Sequence, residues 1–193
     1  QIGMPVIPGS EGALKGHEHA KEEAAKIGYP VILKAASGGG GRGMRIVQNE
    51  ENIINAYLAA ESEAISAFGD GTIYMEKFID NPKHIEVQIL ADKHGNVIHI
   101  GERDCSMQRR HQKLIEESPA IALLPETREK LLAKAVEVAR AIHYVGAGTF
   151  EFLLDSAQNF YFMEMNTRLQ VEHPVSEMVS GIDIVEWMIR IAQ

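Results

Sequence analysis

The stretch Thr149-Phe-Glu-Phe-Leu-Leu-Asp-Ser-Ala-Gln-Asn-Phe-Tyr-Phe-Met-Glu-Met-Asn166, running on through Thr167-Arg-Leu-Gln-Val-Glu-His173, decides how this chain is read. Thr149 to Leu154 and Phe160 to Met165 are rich in β-formers, and Asp155, Ser156 and Asn159 supply turn chemistry. A hairpin follows, with a loop over 156–159, Asp155 opposite Phe160, and Glu151 directly opposite Glu164. Facing residues on one side of such a pair have Cβ atoms roughly 4.5–5.5 Å apart, where two carboxylates repel unless a cation or proton lies between them. Asn166 stands two residues beyond Glu164 and shares its face. Mg²⁺ suits this arrangement, because it takes one or two carboxylates, keeps some waters and fills its remaining positions with phosphate oxygens. A slip of one residue would separate the two acids and leave an ordinary solvated face.

The rest of the composition sets limits. The 193 residues suffice for one or two domains with a real core, and 45% hydrophobic with 24% charged residues is ordinary for a globular protein. A formal net charge of −8 argues against general nucleic-acid binding, although local basic clusters can still hold an anion. Cys105 is the only cysteine, so an intrachain disulfide is impossible and a reducing compartment such as the cytoplasm is expected. No apolar run approaches the ~20 residues of a membrane span. The chain begins at Gln1 without Met or a signal-peptide pattern, which suggests a piece of a longer protein.

Along the chain, Pro5, Pro8 and Gly9 punctuate a short connector, and a helix is expected over His17 to Ile27, stopped by Gly28 and Pro30. Val31 to Ala35 reads as a strand carrying Lys34 near its end, and Met44 to Val47 as another. Glu50 to Phe68 has helical spacing of its apolar residues. Strands are expected over Thr72 to Phe78, His84 to Leu90 and Val97 to Arg103, the middle one alternating His84, Glu86 and Gln88 with Ile85, Val87 and Ile89. Pro125 to Ile142 and Val175 to Ile191 read as helices.

The glycine run Gly38 to Gly43 formally matches a dinucleotide fingerprint, but that fingerprint leads into a helix and here the glycines lead into a strand. A P-loop is excluded because no Gly-Lys-Ser/Thr follows. What remains is a hairpin-type flap whose backbone amides can approach phosphates, with Lys34 placed as a point charge for phosphate oxygens. Glu76, at the end of a strand, can accept from an exocyclic amine or simply face water. Arg103, Arg109, Arg110 and Lys113 surround Gln108 and His111 in a basic cluster that must be exposed or paired with anions. The remaining histidines show no zinc spacing.

Five motifs in order carry a resemblance: Lys34 with Ser37 to Met44, Met75-Glu-Lys77, Glu102 to Lys113, Gly146 to Glu151, and Glu164 to Pro174. Together they resemble biotin carboxylase, an ATP-grasp enzyme, nearly end to end. The resemblance implies an α+β ATP-grasp fold, with two lobes of antiparallel sheets and helices clasping the nucleotide. Residues 1–10 would be a connector, 11–90 the lid lobe and 91–193 the catalytic lobe, incomplete at both ends relative to the family.

The implied reaction joins bicarbonate to the γ-phosphoryl group of ATP, giving carboxyphosphate, whose carboxyl group passes to biotin on a biotin carboxyl carrier protein. By position, Lys34, Gly40, Gly41, His84, Gln108 and His111 would hold phosphates or ribose, and Glu76, Lys77, Phe78 and Ile79 the adenine. Glu151, Glu164 and Asn166 would bind Mg²⁺ or Mn²⁺. Lys113, Arg168, Gln170, Val171 and Glu172 would grip bicarbonate, with Glu172 as general base and Arg168 as catalytic arginine. Implied partners are carboxyltransferase subunits and a second copy of the full-length parent, in an acetyl-CoA carboxylase serving fatty acid synthesis. A pyruvate or propionyl-CoA carboxylase, an ammonia-using carbamoyl-phosphate synthetase relative and a noncatalytic ATP-binding module are the alternatives. Part of the family pattern is absent: a lysine from an N-terminal domain and an arginine from a C-terminal portion.

Overall fold

The computed structural model describes residues 3–38, 43–110 and 112–193, so the expected nucleotide contacts Gly40, Gly41 and His111 lie outside the described residues. The chain divides into two compact units, Ile7–Asp80 and a second made of Gln1–Val6 with Asn81–Gln193.

In the first unit, helices α1 (His17–Ile27) and α2 (Ile53–Phe68) pack on a three-stranded antiparallel sheet of β1 (Val31–Ala35), β2 (Met44–Val47) and β3 (Ile73–Lys77), in the order β2-β1-β3. Val31, Leu33 and Ala35 alternate inward to a core shared with Ala20, Ala24, Ile53 and Tyr57, which turns Lys34 to the opposite face. Lys34 pairs with Met44 and Tyr74 in register, so the strands on either side of the glycine run are antiparallel neighbours, while residues 39–42 of the run lie outside the described residues. Gly43, just before β2, has φ +72°, and a Cβ there would meet the Ala35 Cβ at 2.8 Å. The helix expected from Glu50 starts as a 3₁₀ turn, Glu50–Asn52, before α2 proper.

The second unit is a five-stranded antiparallel sheet of β4 (Lys83–Ala91), β5 (Val97–Arg109), β6 (Gln112–Glu117), β7 (Gly146–Leu154) and β8 (Phe160–Asn166), ordered β6-β5-β4-β7-β8. Helix α3 (Pro125–Ala141) covers one face, where Leu131, Leu132, Ala135 and Val138 meet Ile85, Val87, Ile89, Phe150 and Phe152. On the other face, α5 (Ile184–Ala192) seals a smaller cluster through Ile184 against Leu90, Ile100 and Ala147, beside α4 (His173–Ser180). The tail expected as one helix is broken at Gly181, whose φ of +73° ends α4; Asp183 then caps α5 by accepting from the Glu186 amide at 2.8 Å.

Two expectations are corrected by pairing that is not local in sequence. The boundary placed at residue 90 lies between Asp80 and Asn81, because β4 hydrogen-bonds to β5 and β7 along most of its length and is the middle strand of the second sheet. Pro5 and Val6 also join that sheet, Val6 bridging to Phe162 and the Phe162 amide donating to the Pro5 carbonyl at 2.7 Å. The strand expected to end at Arg103 continues as β5 to Arg109, and β6 folds back on it.

Candidate functional site

Strand alternation builds the site. The β4 residues that do not enter the α3 core, His84, Glu86 and Gln88, face the opposite side, and register brings Arg103 on β5 and Glu151 on β7 to either side of Glu86. Glu151 in turn lies opposite Glu164 on β8, as the hairpin reading requires, so Arg103, Glu86, Glu151 and Glu164 form a row across four strands. The route to that register differs from expectation: Leu154, not Asp155, faces Phe160, and a bulge between Glu151 and Phe152 restores the pairing. Asp155 instead folds the turn, accepting from the Ala157 and Asn159 amides at 2.9 and 2.8 Å.

Three adjacent carboxylates on one face repel, and two cations offset them. Arg103, fully buried, donates through Nη2 to Glu86 Oε2 at 3.0 Å. Lys113 reaches from β6 to Glu86, to Glu151 Oε1 at 3.0 Å and to Glu172 Oε1 at 2.6 Å. Glu151 Oε1 also accepts from Asn166 Nδ2 and Gln170 Nε2, each at 2.8 Å, and its Oε2 from His84 Nε2 at 2.8 Å. Gln108 Nε2 donates to His84 Nδ1 at 2.8 Å, which sets the imidazole as a donor toward Glu151.

These contacts decide the charge states. Burial pushes the Glu151 carboxyl up, but the hydrogen bonds from His84 and Lys113 outweigh it and hold the group at about 2. The same contest at Glu172 ends below the usual carboxylate range, with the Lys113 hydrogen bond opposing burial. At Glu86 burial prevails over Lys113 and Arg103 and pushes the carboxyl up. Burial works against the Lys113 ammonium too, but its carboxylate partners, Glu172 foremost, raise it. Burial also raises the Cys105 thiol, next to Glu86, which leaves it a poor nucleophile.

A pocket of about 410 Å³ opens over this floor. The expected bicarbonate residues Lys113, Arg168, Gln170, Val171 and Glu172 all line it, as do His84, Gln108, Glu151, Glu164 and Asn166. Val171 is 93% exposed, so its contribution to the pocket lies at the rim. The Arg168 guanidinium touches only the Leu169 carbonyl, at 3.3 Å, and makes no ion pair among the described residues. The expected metal ligands offer the oxygen donors that a hard divalent cation takes, although both Glu151 oxygens already accept hydrogen bonds. Glu151 is ionised, Glu164 is exposed with no side-chain hydrogen bond among the described residues, and Asn166 keeps its Oδ1 clear by giving Nδ2 to Glu151.

The remaining expected residues sit in the first unit. Lys34 forms an ion pair with Glu76, on the same face of β1 and β3. Lys77 donates its ammonium to the carbonyls of Gly28 and Tyr29 at 2.9 and 2.7 Å, and the Phe78 amide donates to Pro30 at 3.0 Å, so both tie the strand end to the turn after α1. Ile79 follows this strand end. Glu86 and Arg103 were not among the expected site residues. The alternation of β4 already placed Glu86 beside His84, but only the register with β5 shows that Arg103 is its partner.

The family model for the carbamoyl-phosphate synthase L chain, ATP binding domain, matches residues 1–193. The chain belongs to that family. It is 58% identical to a biotin carboxylase of Nostoc, across its whole length and 43% of that protein. Among solved structures, a biotin carboxylase complex with β,γ-ATP from Campylobacter jejuni is 70% identical, with a TM-score of 0.83 over 99% of this chain and 43% of that one. The biotin carboxylase domain dimer of Hydrogenobacter thermophilus 2-oxoglutarate carboxylase, in complex with MgADP, ADP and bicarbonate, is 58% identical, with a TM-score of 0.81 over 99% of this chain and 42% of that one. The chain therefore spans less than half the length of these relatives. Within this ATP-binding family the two units described above are those of the α+β ATP-grasp fold.

Proposed function

We propose that this chain is the ATP-binding part of a biotin carboxylase, which couples ATP cleavage to carboxylation of biotin with bicarbonate. The observation that carries the reading is the grouping of Lys113, Arg168 and Glu172 around one pocket whose floor holds Glu151 and Glu164. Bicarbonate is a weak nucleophile. Glu172, ionised and held by Lys113, is the base that takes its proton, while Lys113 and Arg168, which makes no ion pair among the described residues, hold the resulting anion. Bound at Glu151, Glu164 and Asn166, Mg²⁺ or Mn²⁺ would supply charge compensation at the phosphates. Lys34, Gly40, Gly41, Gln108, His84 and His111 serve the phosphates and ribose, and Glu76 to Ile79 the adenine. Likeness to the relatives named above supports these roles.

In the full-length parent the product carboxyphosphate passes its carboxyl group to biotin on a carrier protein. A homodimer, carboxyltransferase partners and acetyl-CoA as the final acceptor, in the cytoplasm, complete the proposal; no described helix is long and apolar enough to cross a membrane. The test is bicarbonate-dependent phosphate release by the parent, with biotin or ammonia added. Stimulation by biotin supports the reading, and stimulation by ammonia alone replaces it with a carbamoyl-phosphate synthetase activity.

A further inference from the structure

Beneath the pocket floor lies a guanidinium that does not reach the pocket. Arg103 has no solvent exposure, and burying such a charge is costly unless every arm is used. Its Nη1 donates to Gln88 Oε1 at 2.9 Å and to Ser176 Oγ at 2.8 Å. Its Nη2 donates to Glu86 Oε2 and Gln170 Oε1, both at 3.0 Å, with Thr149 Oγ1 farther off at 3.5 Å. Only Nε lacks a partner among the described residues.

These partners belong to separate parts of the unit. Glu86 and Gln88 are on β4, Thr149 on β7, Gln170 on the segment after β8, and Ser176 on α4. Through Glu86, Arg103 acts on Lys113, which shares the same carboxylate. Through Gln170 it fixes an amide: with Oε1 held by Arg103, Nε2 must face Glu151, where it donates at 2.8 Å. Through Ser176 it ties down the helix that immediately follows Glu172.

We propose that Arg103 is a positioning residue for the anion pocket, holding Lys113, Gln170 and Glu172 in one mutual geometry without touching the substrate. The proposal rests on the reading of that pocket as a bicarbonate site. A lysine cannot substitute, because one ammonium offers three donors from a point and cannot bridge Glu86, Gln88, Gln170 and Ser176 in their present places. The competing view is that Arg103 only fills and stabilises the interior, as buried ion pairs that apolar residues can replace often do.

The experiment uses the full-length parent with Arg103→Lys, Arg103→Met and Ser176→Ala, following initial rates against bicarbonate and MgATP together with Tm. Both Arg103 variants are expected to lower kcat and raise the bicarbonate KM, the combined loss reaching about 10–100-fold, as when groups supporting a site are removed. The MgATP KM should stay within about twofold of wild type, because Arg103 touches none of the residues assigned to the nucleotide and reaches them only at second hand, through Glu86 to His84 and through Gln170 to Glu151. Ser176→Ala, which keeps the guanidinium, should raise the bicarbonate KM about threefold, in keeping with one hydrogen bond. Arg103→Lys with wild-type kinetics, or losses shared equally between the two substrates and tracking Tm, would overturn the proposal. If the Arg103 variants do not fold, an unchanged bicarbonate KM in Ser176→Ala overturns it. A wild-type parent without bicarbonate-dependent ATP cleavage brings down the pocket reading and this proposal together, whereas an active parent with insensitive variants brings down the proposal alone.

Discussion

Lys113 Nζ lies 2.6 Å from Glu172 Oε1 and 3.0 Å from Glu151 Oε1, so a single ammonium joins the expected base to the expected metal ligand. This contact gives each acid a separate measurable consequence, because the ammonium can be kept while either carboxylate is neutralised.

Glu172→Gln keeps the shape of the pocket and a hydrogen-bonding group near Lys113 but removes the proton acceptor. Bicarbonate-dependent ATP cleavage by the parent is expected to fall by about 10²–10⁴, the usual worth of a general base. MgATP affinity, followed by calorimetry, should remain near wild type. Equal loss of binding and turnover would show that Glu172 supports the site rather than the chemistry.

Glu151→Gln combined with Glu164→Gln removes both carboxylates that face each other across β7 and β8. Calorimetric titration should then show that Mg²⁺ no longer strengthens nucleotide binding. Nucleotide binding without metal should change little by comparison. Undiminished metal dependence in the double variant would place the cation elsewhere.

The Glu151 carboxyl, held at about 2, lies below its unfolded value near 4.5. A group depressed in the folded state contributes stability that is fully present above the unfolded pKa and is lost as pH falls through the folded one. Urea midpoints of the wild type should therefore drop between about pH 5 and pH 2. Glu151→Gln, which has no proton to bind there, should be less stable at pH 7 but show a flatter decline. Parallel pH profiles for the two proteins would contradict the assignment.

Gly43→Ala tests the hairpin of the first unit. Its φ of +72° disfavours any side chain, and the new Cβ would meet the Ala35 Cβ at 2.8 Å, inside a packed strand pair. A loss of about 1–3 kcal/mol is expected, from strain and overpacking together, as a shift in urea midpoint at unchanged slope. A wild-type midpoint would mean that the turn relaxes without cost.

What could be read from sequence was whatever local chemistry decides. The spans of α1, β1 and β2 follow from glycine, proline and alternation, and the facing of Glu151 and Glu164 followed from turn residues and β-formers. That facing nevertheless depends on a bulge that no local signal announced; the turn is one residue longer than expected, and the bulge compensates. The boundary at Asp80 and the extension of β5 into a hairpin with β6 escaped because strand partners distant in sequence decide them. Arg103 escaped for the same reason: among Arg109, Arg110 and Lys113 it looks like one more surface cation, until β4 supplies Glu86 opposite it. In the tail, apolar periodicity runs on past Gly181, and only its left-handed backbone divides α4 from α5.

The bond between the Phe162 amide and the Pro5 carbonyl has a practical consequence for handling this protein. β8 is the last strand of its sheet, and an uncovered border strand offers a row of hydrogen-bonding groups to any passing chain. The first few residues shield part of that border while contributing no side chain to the pocket. Trimming them would bare that border and withdraw Met4 from the core beneath it, so that self-association of such a preparation would reflect where it was cut.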